Sequence, residues 1–404
     1  VRGVLIFPNF GEAKANIATN TITKIIAMKH LLATSISIAL LSLGLAGCGE
    51  KQATKEVTSD AFVTIQGQDL IKPDGTKLFI MGTNLGNWLN PEGYMFKFNK
   101  TNSGRFINEM FCQLVGPDFT ADFWKAFKDN YVTREDIRFI KEQGANTIRL
   151  PFHYKLFTDE DYMGLTAAQD GFARVDSLVE WCRESDLYLI LDMHDAPGGQ
   201  TGDNIDDSYG YPWLFDSEVS QQLYCDIWRR IADRYKNEPV ILGYELFNEP
   251  IAPYFENMEE LNGKLEDVYK KGVAAIREVD SNHIILLGGS QWNGNFKPFK
   301  DSKFDDKIMY TCHRYGGEPT QAAIQTIINF RDSVNLPMYM GDRPQYGRMA
   351  GRFLPDDARE QHRLYLLALQ EDGRFFFRRH HSTGELGKHR VFLRSTACHV
   401  QGNP

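Results

Sequence analysis

The chain has 404 residues, 42% of them hydrophobic and 24% charged, with a formal net charge of -8. This is enough apolar sequence for one large core, and a single barrel of about 250 residues or more fits the length as well as two domains do. The acidic balance excludes a general nucleic-acid surface, and six cysteines with no Cys-x-x-Cys pair exclude a disulfide scaffold and leave a zinc site without support.

Residues 1–27 match neither a domain nor a targeting signal and read as an over-extended start. Met28 opens a short charged segment, Met-Lys-His, followed by an apolar run from Leu31 to Leu45 that is short for a membrane span, and then by Leu45-Ala-Gly-Cys48. The order of these three parts resembles a bacterial lipoprotein signal peptide over residues 28–48, ending in a lipobox. The resemblance implies cleavage before Cys48, lipid on its thiol, and a lipid-anchored protein of the bacterial cell envelope. Residues 49–61 are polar and rich in small side chains, which suits a tether.

Globular sequence begins near Phe62. Two apolar runs, Phe62 to Gln66 and Lys77 to Met81, flank the turn signal Pro73-Asp-Gly75. Seven short apolar segments then read as buried strands: Leu78 to Asn84, Asn146 to Leu150, Leu187 to Met193, Val240 to Phe247, His283 to Leu287, Lys307 to Thr311 and Leu336 to Met340. Helical periodicity lies between most of them, clearest in Ala121 to Gln143, Phe172 to Ser185, Ser217 to Tyr235 and Glu259 to Val279. Alternating strand and helix at this length predicts an α/β fold with a parallel sheet, closed or open; a (β/α)8 barrel over residues 62–341 needs one strand more. Cys112, Cys182, Cys225 and Cys312 lie in apolar or helical contexts and read as core residues.

The chemistry collects at the strand ends. The stretch from Leu242 to Pro250 is an apolar strand that ends in Asn248-Glu249-Pro250, an amide beside a carboxyl. The other tips carry Asn84-Leu-Gly-Asn-Trp88 with Glu92 after it, Arg149-Leu-Pro151, Asp192-Met-His194, His313-Arg-Tyr315 and Gly341-Asp342. A single tip of this kind is ordinary turn or ion-pair chemistry. Six such tips on seven barrel strands point to a site at the C-terminal face.

Ile148-Arg149-Leu150-Pro151, Asp192-Met-His194, Phe247-Asn248-Glu249-Pro250 and His313-x-Tyr315 together resemble glycoside hydrolase family 5, the cellulase family. Asn84 to Trp88 and Ala196-Pro-Gly-Gly199 are similar to its β-glucanase and exo-β-1,3-glucanase branch. The resemblance implies a retaining mechanism on a β-linked glucan, with a mannanase or a non-catalytic glycan-binding lipoprotein on the same scaffold as alternatives. Glu249 matches the acid/base and is expected to have a raised pKa. Asn248 would hold the sugar 2-hydroxyl, and Arg149 would orient the nucleophile. His194, His313 and Tyr315 would line the subsite of the cleaved sugar, and Glu92 would bind a sugar hydroxyl. Trp88, Trp213 and Trp292 are stacking platforms or core residues with equal claim. Asp203, Asp206 and Asp207 form an acidic cluster read as a solvated loop rather than a calcium site. No cofactor or metal is called for. The membrane enters only through the lipid anchor, and nucleic acid is no partner.

The pattern breaks after Gly341. The family carries a nucleophilic glutamate where this chain has Asp342, and an eighth strand with an aromatic tip beyond it. Residues 343–404 hold ten arginines and one lysine, against 13 and 21 before them, and Phe375-Phe-Phe-Arg-Arg-His-His381 is poor globular sequence. Dropping one base at codon 342, with codons chosen across the tail, gives a helix followed by IGYTFWPYKK, which resembles the family's ending. The tail therefore reads as frameshifted. Position 342 is expected to be a glutamate in frame, and the chain as written is expected to lack strand eight, leaving an open edge and an impaired enzyme.

Overall fold

The computed structural model describes residues 58–342 except 99, 166 and 316–319, without the side chains of Gln321 and Asp342, and the backbone of Leu364–Ala368. The expected start, signal peptide, Cys48 and most of the tether lie outside the described residues, as does most of the tail. Of the tether, Ser59–Ala61 forms one 3-10 turn.

Three short strands come first: β1 (Thr64–Gln66), β2 (Asp69–Ile71) and β3 (Lys77–Leu78), an antiparallel sheet in that order. The two-residue link between β1 and β2 uses Gly67 at φ +58°, a conformation that costs glycine little. The β2–β3 link is the expected Pro73-Asp-Gly75 turn, held by Asp74, whose Oδ1 accepts from the Thr76 amide at 2.9 Å.

All seven expected strands form, as β4 (Met81–Asn84), β5 (Thr147–His153), β6 (Tyr188–Asp195), β7 (Ile241–Glu245), β8 (Ile284–Gly288), β9 (Ile308–His313) and β10 (Met338–Asp342). Each pairs in parallel with its neighbour in chain order. The expected open edge is not there. A strand from the tail, β11 (Leu364–Ala368), lies parallel between β10 and β4 and closes the barrel at eight strands. The physical reason is that β4 and β10 each offer an unpaired row of backbone groups. Leu-Tyr-Leu-Leu-Ala is the apolar run in the tail that can fill that gap, whatever frame it came from.

Side chains in the barrel alternate between its two faces except at bulges, as at Leu242 in β7. Ile148, Leu150, Leu189, Leu191, Ile285, Leu287, Met338 and Met340 join the outer core under the helices. Ile190, Leu242, Leu286, Met309 and Tyr339 face inward and pack with Val63, Leu70, Leu78 and Ile80. The small sheet therefore plugs the lower end of the barrel with hydrocarbon. Further along β6 and β9 the same inward column becomes polar, from Ile190 to Asp192 and His194 and from Met309 to Thr311 and His313. This confines the polar groups to the upper mouth.

The helices are α1 (Gly104–Val115), α2 (Pro117–Asn130), α3 (Arg134–Glu142), α4 (Ala168–Glu184), α5 (Glu218–Tyr235), α6 (Met258–Arg277) and α7 (Gln321–Val334). The expected continuous helix from Ala121 to Gln143 is two helices. Thr133 takes an extended conformation and closes a capping box with Asp136, which starts α3 afresh. Helices α1 and α7 were not foreseen. The first is tied down by Phe96, Phe111, Phe123, Trp124 and Phe127, whose rings meet at 4.7–6.3 Å. Cys182 and Cys312 are buried in the core as expected, Cys112 and Cys225 are half-buried, and all four are free thiols.

Candidate active site

The polar mouth is built on one guanidinium. Arg149, fully buried on β5, donates from Nε and Nη2 to the two carboxylate oxygens of Glu245 at 2.8 and 2.7 Å. Nη2 also donates to Asn248 Oδ1 at 2.9 Å and pairs with Asp192 at 2.9 Å. Two anions around one cation, all without solvent, satisfy a charge that would otherwise be very costly to bury. Tyr339 of β10 donates its hydroxyl to Glu245, so the network ties β5, β6, β7 and β10 together across the barrel.

From Asp192 the chain of contacts rises to the substrate side. His194 Nδ1 lies 2.7 Å from Asp192 Oδ2, and its Nε2 lies 3.2 Å from Asn248 Nδ2. His194 thus joins Asp192 to Asn248, which is fixed from both ends, by His194 and by Arg149. Burial lowers the His194 pKa, but the charge and hydrogen bond of Asp192 outweigh it and raise the value. The β6 loop supplies the rest. Gln200 donates to the carbonyls of His194 and Asn248, both at 2.7 Å, and Thr201 donates to the Glu249 carbonyl at 2.8 Å. These bonds hold Glu249 at φ +44° and Ile251 at +56°, left-handed conformations that disfavour both residue types.

Glu249 Oε1 lies 2.7 Å from His313 Nδ1. Asp342 in turn is the register partner of His313 on the neighbouring strand. One imidazole therefore stands beside the Glu249 carboxyl and the backbone of position 342. The expected rise of the Glu249 pKa is not found. Burial pushes it up, but the His313 hydrogen bond, then the charges of His313, His194 and Arg149, together hold it below the usual carboxylate range. Since this value lies below that of the unfolded chain, the stabilisation is full above the unfolded pKa and is lost as pH falls through the folded one. Replacing His313 by Gln should raise the Glu249 pKa, read by carbon NMR titration of its carboxyl. An unchanged or lower value would mean that His313 does not set it.

The other expected residues divide. Arg149 was expected to orient the nucleophile. Its guanidinium engages Glu245, Asp192 and Asn248, with Nη1 buried and without a hydrogen-bond partner, while the side chain at position 342 lies outside the described residues. Glu92 is half-buried within electrostatic reach of His194. Tyr315 is exposed, its ring 6.5 Å from that of His313. Trp88 is a core residue, buried with Nε1 on the Lys128 carbonyl at 2.8 Å. Trp213 and Trp292 are exposed at 48% and 38% and can serve as platforms. The acidic loop is not solvated as expected. Asp206 is buried because it accepts from the amides of Thr201, Gly202 and Ser208 at 2.6, 2.9 and 3.1 Å, and Asp207 pairs with Arg105 and His153. Among the described residues no group of three or more His, Cys, Asp or Glu could hold a metal.

Sequence reasoning missed Glu245 and Tyr339. The signal was a single acidic residue inside an otherwise apolar strand, four positions before Glu249, with only a buried cation able to accommodate it.

A family model described as Cellulase (glycosyl hydrolase family 5) matches residues 109–348. Endoglucanase C of Acetivibrio thermocellus is 35% identical over 195 residues, covering 48% of this chain and 53% of that protein. A Beta-xylosidase of Phanerodontia chrysosporium is 29% identical over 257 residues, 63% of this chain and 52% of its own. A Glucan 1,3-beta-glucosidase of Kluyveromyces lactis is 25% identical over 254 residues, 59% and 55%. The chain spans about half the length of the curated relatives it matches. The crystal structure of endogalactoceramidase superposes with a TM-score of 0.57 at 19% identity, covering 76% of this chain and 74% of that one, which supports the barrel fold. The family match takes in more than half of the chain and runs from β5 to β10, the strands that carry Arg149, His194, Glu249 and His313. The chain belongs to glycosyl hydrolase family 5, the cellulase family.

Proposed function

We propose that the protein is an O-glycosyl hydrolase that cleaves a β-linked glucan with retention of configuration. The observation that carries this reading is the placement of His313 between the Glu249 carboxyl and the backbone of position 342. Retention needs an acid/base and a nucleophile carboxyl about 5–5.5 Å apart on either side of the bond. Glu249 is the acid/base in this reading. It must gain a proton first, and the standing negative charge of the nucleophile carboxylate, present until it bonds to the sugar, or displacement of His313 by substrate, would supply the upward shift. Asn248, locked by Arg149 and His194, presents its amide toward the sugar. We also propose that residues 28–48 direct the protein to the bacterial cell envelope, where the lipid on Cys48 anchors it; the order of charged, apolar and small residues supports this.

The test is proton NMR of β-glucan oligosaccharides incubated with the full chain carrying Asp342→Glu. The β anomer should appear first. The α anomer first would mean inversion. Binding without turnover would select the second reading, a non-catalytic glycan binder, which Asp342 itself favours because its carboxyl is one methylene shorter than the family's nucleophile.

A further inference from the structure

A second strained turn packs against the left-handed turn that carries Glu249. After β8 the chain takes a left-handed φ at three successive residues, Gln291 (+49°), Trp292 (+58°) and Asn293 (+58°), none of them glycine. The Asn293 side chain is fully buried, and neither its Oδ1 nor its Nδ2 has a hydrogen-bond partner among the described residues. It folds back over the tip of β8, where a Cβ on Gly288 would meet Asn293 Oδ1 at 2.0 Å. Backbone of this kind is unfavourable, persists only where its surroundings fix it, and collects at functional sites.

Gln291 is where the two strained turns meet. Its backbone N–H donates to the Ile251 carbonyl at 3.0 Å, and its Nε2 lies 3.5 Å from the same oxygen. The side-chain amide is anchored on both of its atoms. Oε1 accepts from Ser290 Oγ at 2.8 Å and from Asn295 Nδ2 at 2.7 Å, and Nε2 donates to Asn262 Oδ1 on α6 at 3.0 Å. An amide held this way by its own loop and by a helix cannot turn aside, so the backbone N–H stays aimed at Ile251. The other side of the Glu249 turn belongs to the β6 loop. There the Ile251 N–H donates to the Gln200 carbonyl at 2.8 Å, and the Ala252 N–H donates to the Thr201 carbonyl at 2.9 Å. Ile251 is fully buried, and among the described residues Gln291 supplies the hydrogen bonds to its carbonyl.

We propose that Gln291 is a positioning residue for Glu249: by holding the Ile251 carbonyl it closes the second side of the turn that aims the Glu249 carboxyl at His313. It acts through the backbone, two residues along from Glu249. What the carboxyl does once aimed rests on the hydrolase reading; how it is aimed does not.

The test is Gln291→Gly in the full chain. Glycine takes the left-handed conformation without strain, so the change removes the side-chain anchors and does not force the backbone elsewhere. The Glu249 carboxyl, followed by carbon NMR titration, should move to a higher pKa. Burial raises it, and the His313 hydrogen bond, the largest of the lowering causes, weakens once the turn is free on one side. Arg277→Met is the control. It breaks the Arg277 bonds to Asp305 and to the Asp280 and His283 carbonyls at the foot of β8, and should leave the titration unchanged. In the Asp342→Glu background, Gln291→Gly should lower kcat on β-glucan by about tenfold or more and change KM by less than about threefold, because the acid/base is displaced while the groups that bind sugar stay. If Gln291→Gly does not fold, Asn262→Ala, which frees Gln291 Nε2, should raise the Glu249 pKa in its place. The proposal is overturned if the titration is unchanged in whichever of these variants folds, or if Arg277→Met moves it equally, which would be general loosening. If the Asp342→Glu background hydrolyses no glucan, the hydrolase reading falls, and the titration still decides the positioning.

Discussion

Asp342→Glu is expected to raise hydrolysis of a β-glucan by about 100-fold over the chain as it stands. The backbone of position 342 is already placed by β10, beside His313, whose ring reaches Glu249. What the aspartate lacks is one methylene. A displacement of a reacting group by about 1 Å costs ~100-fold in a positioned reaction, and the longer side chain should recover it. In that background Glu249→Gln should remove about 10²–10⁴-fold, because the amide can neither deliver a proton to the leaving oxygen nor take one from water. Release of reducing ends from soluble glucan measures both steps. If Asp342→Glu gives no gain while glycan still binds, position 342 is not the nucleophile, and the binding reading takes its place.

Glu245→Leu is expected to destabilise the barrel by about 3–5 kcal/mol, the cost of removing one partner of a buried ion pair. Arg149 would keep Asp192 and Asn248 but lose its two-pronged grip, and the Tyr339 hydroxyl would lose its acceptor. Glu245→Gln keeps the shape and should cost less. Tyr339→Phe removes a single hydrogen bond and should cost about 1 kcal/mol. Urea denaturation followed by circular dichroism ranks the three. The informative control is Glu245→Leu with Arg149→Met, in which an apolar pair replaces an ionic one and much of the loss should return. A cost below about 1 kcal/mol for Glu245→Leu alone would mean that Asp192 by itself suffices for Arg149, and that Glu245 is not what holds Asn248 in place.

The amino-acid order by itself determined the alternation of strand and helix, the seven strands before residue 342 and the polar tips at their ends. Those features are local. A strand buried on both faces must be apolar along its length, and a polar residue that interrupts it at one end is visible without coordinates. Arg149, His194, Asn248, Glu249 and His313 were legible for that reason. Only the tertiary structure decided which partners these groups take. Arg149 meets Glu245, 96 positions away, and Tyr339 meets Glu245 across 94. No periodicity or propensity encodes such a pairing, because it arises from barrel closure and inward-facing register. The Glu249 pKa is of the same kind. Burial alone argues for a rise, and a histidine 64 residues further along the chain reverses it. The eighth strand makes the point from the other side. Leu364–Ala368 carries no signal of its own that separates strand from any other apolar run, and its place is set by the two open edges that flank it.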